Sequence, residues 1–129
     1  MTRPVFVDSF AWIAAINKSD NYHDVCSETL TELLGKRVKL FTTNNALSRA
    51  DFRKAVVAFV DKLETSPSVE IITITEEIYL AAWLLYQQRM NKDWGITDCT
   101  SFEIMKRFNL KKAFTNDRHF EQAGFSVLI

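Results

Sequence analysis

Apolar positions along this chain follow two rhythms. Short unbroken runs at Val5 to Val7, Val38 to Thr42, Val69 to Ile74, Lys112 to Thr115 and Phe125 to Ile129 read as strands covered on both faces. Between them, apolar residues recur at helical spacing. Tyr22, Cys26, Leu30 and Leu33 fall on one side of a first helix. A second spans about Ala46 to Leu63, with Phe52, Val56, Phe59, Val60 and Leu63 on its stripe. Ile78, Ala81, Ala82, Leu85 and Tyr86 mark a third between Glu76 and Met90. Phe102, Met105 and Phe108 mark a fourth between Thr97 and Phe108. Strands alternating with helices predict an α/β fold with a mostly parallel sheet, helices on both faces and right-handed crossovers. In such sheets ligands bind beyond the carboxyl ends of the strands, so polar groups just after a strand are the first to inspect.

Composition narrows the function classes. At 129 residues the chain fits a single domain, 1–129, and 47% apolar residues can fill its core. The formal net charge is zero, which argues against a tight, non-specific nucleic-acid binder but leaves room for a local contact patch. Cys26 and Cys99 form no CxxC pair and read as free thiols of a reducing compartment. The apolar run from Pro4 to Val7 is too short for a signal peptide or a membrane span, so a soluble, cytoplasmic protein with no membrane partner is expected. No GxxxxGK[ST] or GxGxxG occurs, which leaves no basis for a nucleotide cofactor. His23 and His119 have no spacing that makes a metal pair and read as surface residues. Trp12, Trp83 and Trp94 read as core or interface.

Two aspartates pass the strand-end test, and a third candidate stands at the start of a helix. Asp8 follows Val5-Phe6-Val7, Asp117 follows Ala113-Phe114-Thr115-Asn116, and Asp98 sits where a turn at Gly95 enters a helix. Carboxylates converging on one point repel unless a cation lies between them. Oxygen-only ligands suit Mg²⁺ or Mn²⁺, and such an ion can activate water against a phosphodiester. The plainer reading stands beside this one. Asp8 can cap a helix beginning near Ser9, and Asp98 can favour the N-terminal dipole of its own helix.

Longer segments carry a family resemblance. Val5-Phe6-Val7-Asp8-Ser9-Phe10-Ala11-Trp12-Ile13-Ala14 resembles the opening strand of PIN-domain nucleases. Asp93 to Phe102 resembles their third acidic motif, and Ala113-Phe114-Thr115-Asn116-Asp117-Arg118-His119-Phe120 resembles the fourth. The order covers nearly the whole chain and resembles that of VapC-type toxins of bacterial toxin–antitoxin pairs and of similar stand-alone PIN proteins. The resemblance implies a PIN-like three-layer α/β/α fold and a Mg²⁺- or Mn²⁺-dependent endoribonuclease. Asp8, Asp98 and Asp117 match the family's metal-binding aspartates, and Thr115 matches a hydroxyl residue that accompanies the fourth motif. Asp93 lies close by, in a supporting or structural role. The implied partners are an RNA substrate, an antitoxin protein and a second copy of the chain in a homodimer.

The second motif departs from the family. Relatives continue from a strand resembling Leu40-Phe41-Thr42-Thr43-Asn44 into a helix bearing a catalytic Glu, yet no Glu or Asp lies between Asn44 and Ala50. Without a gap, Arg49 falls near the expected Glu. Aligned on Asn45-Ala46-Leu47-Ser48, the chain lacks about seven residues, two helical turns whose loss keeps the apolar stripe on nearly the same face. That alignment fits both flanks better; Asp51 is then the nearest acid, with nothing to place it at the metal. Phe10, where relatives carry a small residue, crowds the exit of the first strand. Three functions follow as alternatives: a nuclease, a catalytically weakened PIN domain that works by binding protein, or a generic α/β interaction module without a metal.

Overall fold

Val5–Val7 forms β1, and all three residues are buried. Val5 and Val7 pack into one apolar cluster and Phe6 into another, so the strand is covered on both faces. This burial explains why its sequence is an unbroken apolar run rather than an alternation. The computed structural model describes residues 3–47, 61 and 66–129. After β1 come α1 (Ser9–Ile16), α2 (His23–Gly35), β2 (Leu40–Thr43), α3 (Asn44–Leu47), β3 (Val69–Ile72), α4 (Glu76–Gln88), α5 (Ile96–Arg107), β4 (Lys112–Phe114), α6 (Arg118–Gln122) and β5 (Ser126–Val127).

The five strands form one sheet in the order β3-β2-β1-β4-β5, with every pairing parallel. Val5 pairs with Leu40 on one side and Lys112 on the other. On one face, α1 and α2 bring Ala11, Trp12, Cys26 and Leu30 against Val5, Val7 and Leu40. On the other, α4, α5 and α6 bring Ala82, Phe102, Met105 and Phe120 against Phe6 and Ala113. The result is the expected three-layer α/β/α arrangement. The chain moves outward from β1 through β2 to β3, then restarts on the opposite side at β4. Parallel sheets open a crevice where the strand order reverses, at the carboxyl ends of the two strands that part there. Here those strands are β1 and β4.

Several boundaries differ from the sequence reading. The helix α1 starts directly after Asp8, but Ser-Phe-Ala-Trp-Ile-Ala-Ala-Ile is apolar almost all round and carries no stripe to recognise. Only five residues long, α6 is too short for a period. Ile74 lies beyond β3 because its N–H donates to Asn44 Oδ1 (2.9 Å) instead of to a ladder partner. Thr75 then caps α4, its hydroxyl accepting from the Ile78 N–H. β2 begins at Leu40, after a left-handed Arg37 (φ 58°) turns the chain. The stretch expected to be helical from Ala46 to Leu63 lies mostly outside the described residues, as do Arg49 and Asp51.

The tryptophans divide. Trp12 is buried and donates to Thr42 Oγ1 (2.9 Å), and Trp94 donates to Gln122 Oε1 (3.0 Å). Trp83 is exposed and stacks on Tyr86. Cys26 and Cys99 are buried free thiols in opposite clusters. Burial, helped by the charge of Asp20, pushes the Cys26 thiol up to about 11, so it stays protonated and inert at neutral pH. No helix among the described residues is long and apolar enough to cross a membrane.

Candidate functional site

The crevice between β1 and β4 opens as a cleft of about 930 Å³. Asp8, Asp98, Asp117 and His119 all line it. Asp8 stands one residue beyond β1 and is 9% exposed. Its backbone is extended, as at an N-cap, yet its side chain makes no capping bond to α1. Instead Asp8 Oδ2 accepts the hydroxyl of Thr115 at 3.0 Å. That hydroxyl also accepts the Asp117 backbone N–H at 3.1 Å. Thr115 is fully buried, so it joins the exits of β1 and β4 through a bond that water does not contest.

The β1 exit is fixed from its other side as well. Thr42 donates to the Val7 carbonyl (2.8 Å) while accepting from Trp12. Asp8 therefore starts from a strand end held by both neighbouring strands. Its carboxyl is raised above its ordinary value, chiefly by burial. The Ser9 backbone N–H and the Thr115 hydroxyl draw it down, and the charges of Asp117 and Asp98 push it up. Three segments far apart in sequence thus act on one carboxyl group.

Asp98 and Asp117 each serve a local role too. Asp98 Oδ2 accepts the Gly95 N–H at 3.2 Å, steadying the start of α5. Asp117 caps α6 by accepting the His119 N–H at 2.9 Å. The plainer reading therefore holds for Asp98 and Asp117, and in part for Asp8, which stands at the N-cap of α1 without a side-chain capping bond. A carboxylate has about four lone-pair directions, so neither role exhausts its capacity.

His119 corrects the sequence reading. It is not a mere surface residue: its Nδ1 lies 2.9 Å from Asp98 Oδ2 and 3.4 Å from Asp117 Oδ1. One ligand atom from each of Asp98, Asp117 and His119 can be chosen so that all lie within 4.8 Å of one another. Asp8 stands outside that group but faces the same cleft. His23 is also no free surface group, since its Nδ1 reaches the Ala14 carbonyl (2.9 Å) and ties α2 to α1. Asp93 is exposed and does not line the cleft.

Asp20 lines the cleft and was missed. It sits in the polar loop after α1 and looks like a turn residue, which it also is: its Oδ1 accepts the Tyr22 N–H at 2.8 Å. Phe10 forms part of the wall and packs edge-on against Tyr22, with ring centroids 5.2 Å apart. Four carboxylates face this space, and the cationic side chain among its described lining is Arg118. Such a donor set suits a hard divalent cation.

The family model described as "PIN domain" matches residues 5–126. VapC20 of Mycobacterium tuberculosis, a 23S rRNA-specific endonuclease, is 28% identical over 129 residues, covering 94% of this chain and 95% of that protein. Among solved structures, M. tuberculosis VapC20, described as a sarcin-ricin loop cleaving toxin, superposes with a TM-score of 0.77 at 24% identity, over 94% of this chain and 95% of that one. VapBC2 from Rickettsia felis, bound to a DNA fragment from its promoter, gives 0.66 at 16% identity over 98% and 97%. FitAcB from Neisseria gonorrhoeae gives 0.63 at 16% over 97% and 96%. At these identities the structural matches speak for the fold.

Proposed function

The chain belongs to the PIN domain family, and from that premise we propose that it is a divalent-metal-dependent endoribonuclease, the toxin of a toxin–antitoxin pair. The observation that carries the reading is the convergence of Asp8, Asp98 and Asp117 on one cleft where the strand order reverses. Asp8 is kept there at a cost, buried among like charges that a cation would relieve. The likeness to a 23S rRNA-specific endonuclease supports RNA as the substrate class and makes ribosomal RNA the first to test.

In this reading Asp8, Asp98 and Asp117 hold Mg²⁺ or Mn²⁺. When bound, the ion supplies water activation and neutralises charge on the phosphodiester. Thr115 fixes the Asp8 carboxylate by its hydroxyl and the Asp117 backbone by its oxygen, so both exits keep their spacing. Arg118 offers the cleft a positive group for the RNA backbone. The likeness to VapC-type proteins supports an antitoxin partner. A homodimer is supported by the outer face of α4, where Tyr79, Leu80, Trp83, Leu84 and Tyr86 are exposed.

A second reading rests on one observation. No Asp or Glu lies between Asn44 and Ala50, where relatives carry a catalytic Glu. A chain that lost that group keeps the fold and serves as a protein-binding PIN domain. Incubation with purified ribosomes and with naked rRNA, at millimolar Mg²⁺ or Mn²⁺, separates the two. New 5′ ends that vanish with EDTA support the nuclease. No cleavage by this chain, together with tight binding to a co-expressed antitoxin, supports the second reading.

A further inference from the structure

We propose that His119 is a nitrogen ligand of the divalent ion, which makes this a mixed carboxylate–imidazole site. The inference deepens the metal-dependent reading above and rests on it. The family resemblance implies carboxylate ligands alone, and His119 has no place among them.

The argument begins with distances. A six-coordinate ion holds its ligands at about 2.1 Å, so neighbouring ligand atoms sit about 3.0 Å apart. His119 Nδ1 lies 2.9 Å from Asp98 Oδ2 and 3.4 Å from Asp117 Oδ1. These are the edges expected of ligands sharing an ion. The ring is also held in place. The His119 backbone N–H is tied to Asp117 Oδ1 at 2.9 Å, and the next residue, Phe120, is fully buried between Phe6 and Phe102. Its side chain is 30% exposed, so it is neither sealed from the cleft nor swinging in solvent.

The position has a chemical consequence. The sequence lacks an acid from Asn44 to Ala50, so among the described residues the site holds one oxygen ligand fewer than the resemblance implies. An imidazole adds a donor atom without adding charge. Mg²⁺ takes oxygen ligands and gains little from nitrogen. Mn²⁺ and the later first-row ions accept imidazole more readily. A site that exchanges a carboxylate for His119 therefore discriminates towards Mn²⁺.

The simpler role for His119 is to donate an N–H to Asp98 and hold its orientation, as residues behind a metal's ligands do. The two roles differ in whether nitrogen touches the ion. The full chain loaded with Mn²⁺ and studied by pulsed electron paramagnetic resonance reads this directly. A ¹⁴N hyperfine coupling is expected in the native protein and is expected to be absent in His119→Gln and His119→Ala. In titrations, both variants should bind Mn²⁺ about tenfold or more weakly, while Mg²⁺ affinity changes less than about twofold. Melting curves check that the variants fold. Bound Mn²⁺ without nitrogen coupling, or coupling that survives in His119→Gln, overturns the proposal and leaves the metal reading intact. A native chain that binds neither Mn²⁺ nor Mg²⁺ overturns the metal reading itself, and this inference with it.

Discussion

At Asp8, burial and two neighbouring carboxylates favour the protonated acid, whereas holding a cation needs the anion. The group binds its proton more tightly in the folded chain than in the unfolded one. As pH rises from the ordinary value of 3.8 through the raised folded value, the unfolded state loses its proton first, and stability falls. Above that window the ionised carboxylate remains a cost. Asp8→Asn keeps an oxygen for the Thr115 hydroxyl and removes the charge. In metal-free buffer at pH 7 it should therefore stabilise the fold, by about 0.5–2 kcal/mol on the usual scale for relieving a functional site. Thermal denaturation with EDTA measures this, and a lower melting temperature than the native chain would contradict it. Added Mn²⁺ should reverse the order, because only the native carboxylate gains from the ion. The aspartates were legible in sequence because each follows a strand or opens a helix, and Thr115 only through the resemblance of its segment to the fourth motif. His119 and Asp20 were not, since only the fold brings them to the cleft. There His119 meets Asp98, across a separation of 21 residues.

At the scale of elements, apolar runs announced the strands, and stripes announced α2, α4 and α5. What escaped was α1, whose apolar surface has no polar side to set a period, and α6, one short turn. The turn from β2 into α3 is where the sequence departs from the motif that the resemblance implies. Thr43 Oγ1 accepts the Ala46 N–H (3.0 Å), and Asn44 accepts the Ile74 N–H, so β2 passes into α3 without a loop. Asn45 lies on the cleft wall at that entrance. A Glu-bearing segment of about seven residues inserted after Asn44 adds two turns of helix and keeps the following stripe in phase. That insertion should raise Mg²⁺-dependent RNA cleavage by about ten- to a hundredfold, the scale on which even the outer partners of metal ligands act. Asp8→Asn or Asp98→Asn in the same background should abolish the gain. Equal cleavage by the native and restored chains, with the same Mg²⁺ dependence, would mean that the Glu was never needed.

For the whole molecule, the unresolved balance is between a core that is filled and a face that is not. The central strand β1 is buried on both faces, yet the outer side of α4 keeps Leu80 56% and Leu84 54% exposed, with Trp83 and Tyr86 stacked beside them. Residues 79, 80, 83, 84 and 86 recur at helical spacing, so they form one continuous apolar strip rather than scattered contacts. Scattered apolar residues are ordinary on a surface, but a continuous strip with aromatic anchors is the composition of an interface core. A net charge of zero offers little mutual repulsion to keep two such faces apart. A two-fold pairing would set α4 against its copy, with each strip covering the other. Leu84→Glu places a charge in the middle of that contact and needs no change in the core. It should weaken dimerisation by about thirtyfold or more, the effect of losing about 2 kcal/mol at a central position. Light scattering across a concentration series reads the result. A native chain that stays monomeric at the highest concentration would leave this strip to another partner, and the antitoxin would then be the one to test against the same variant.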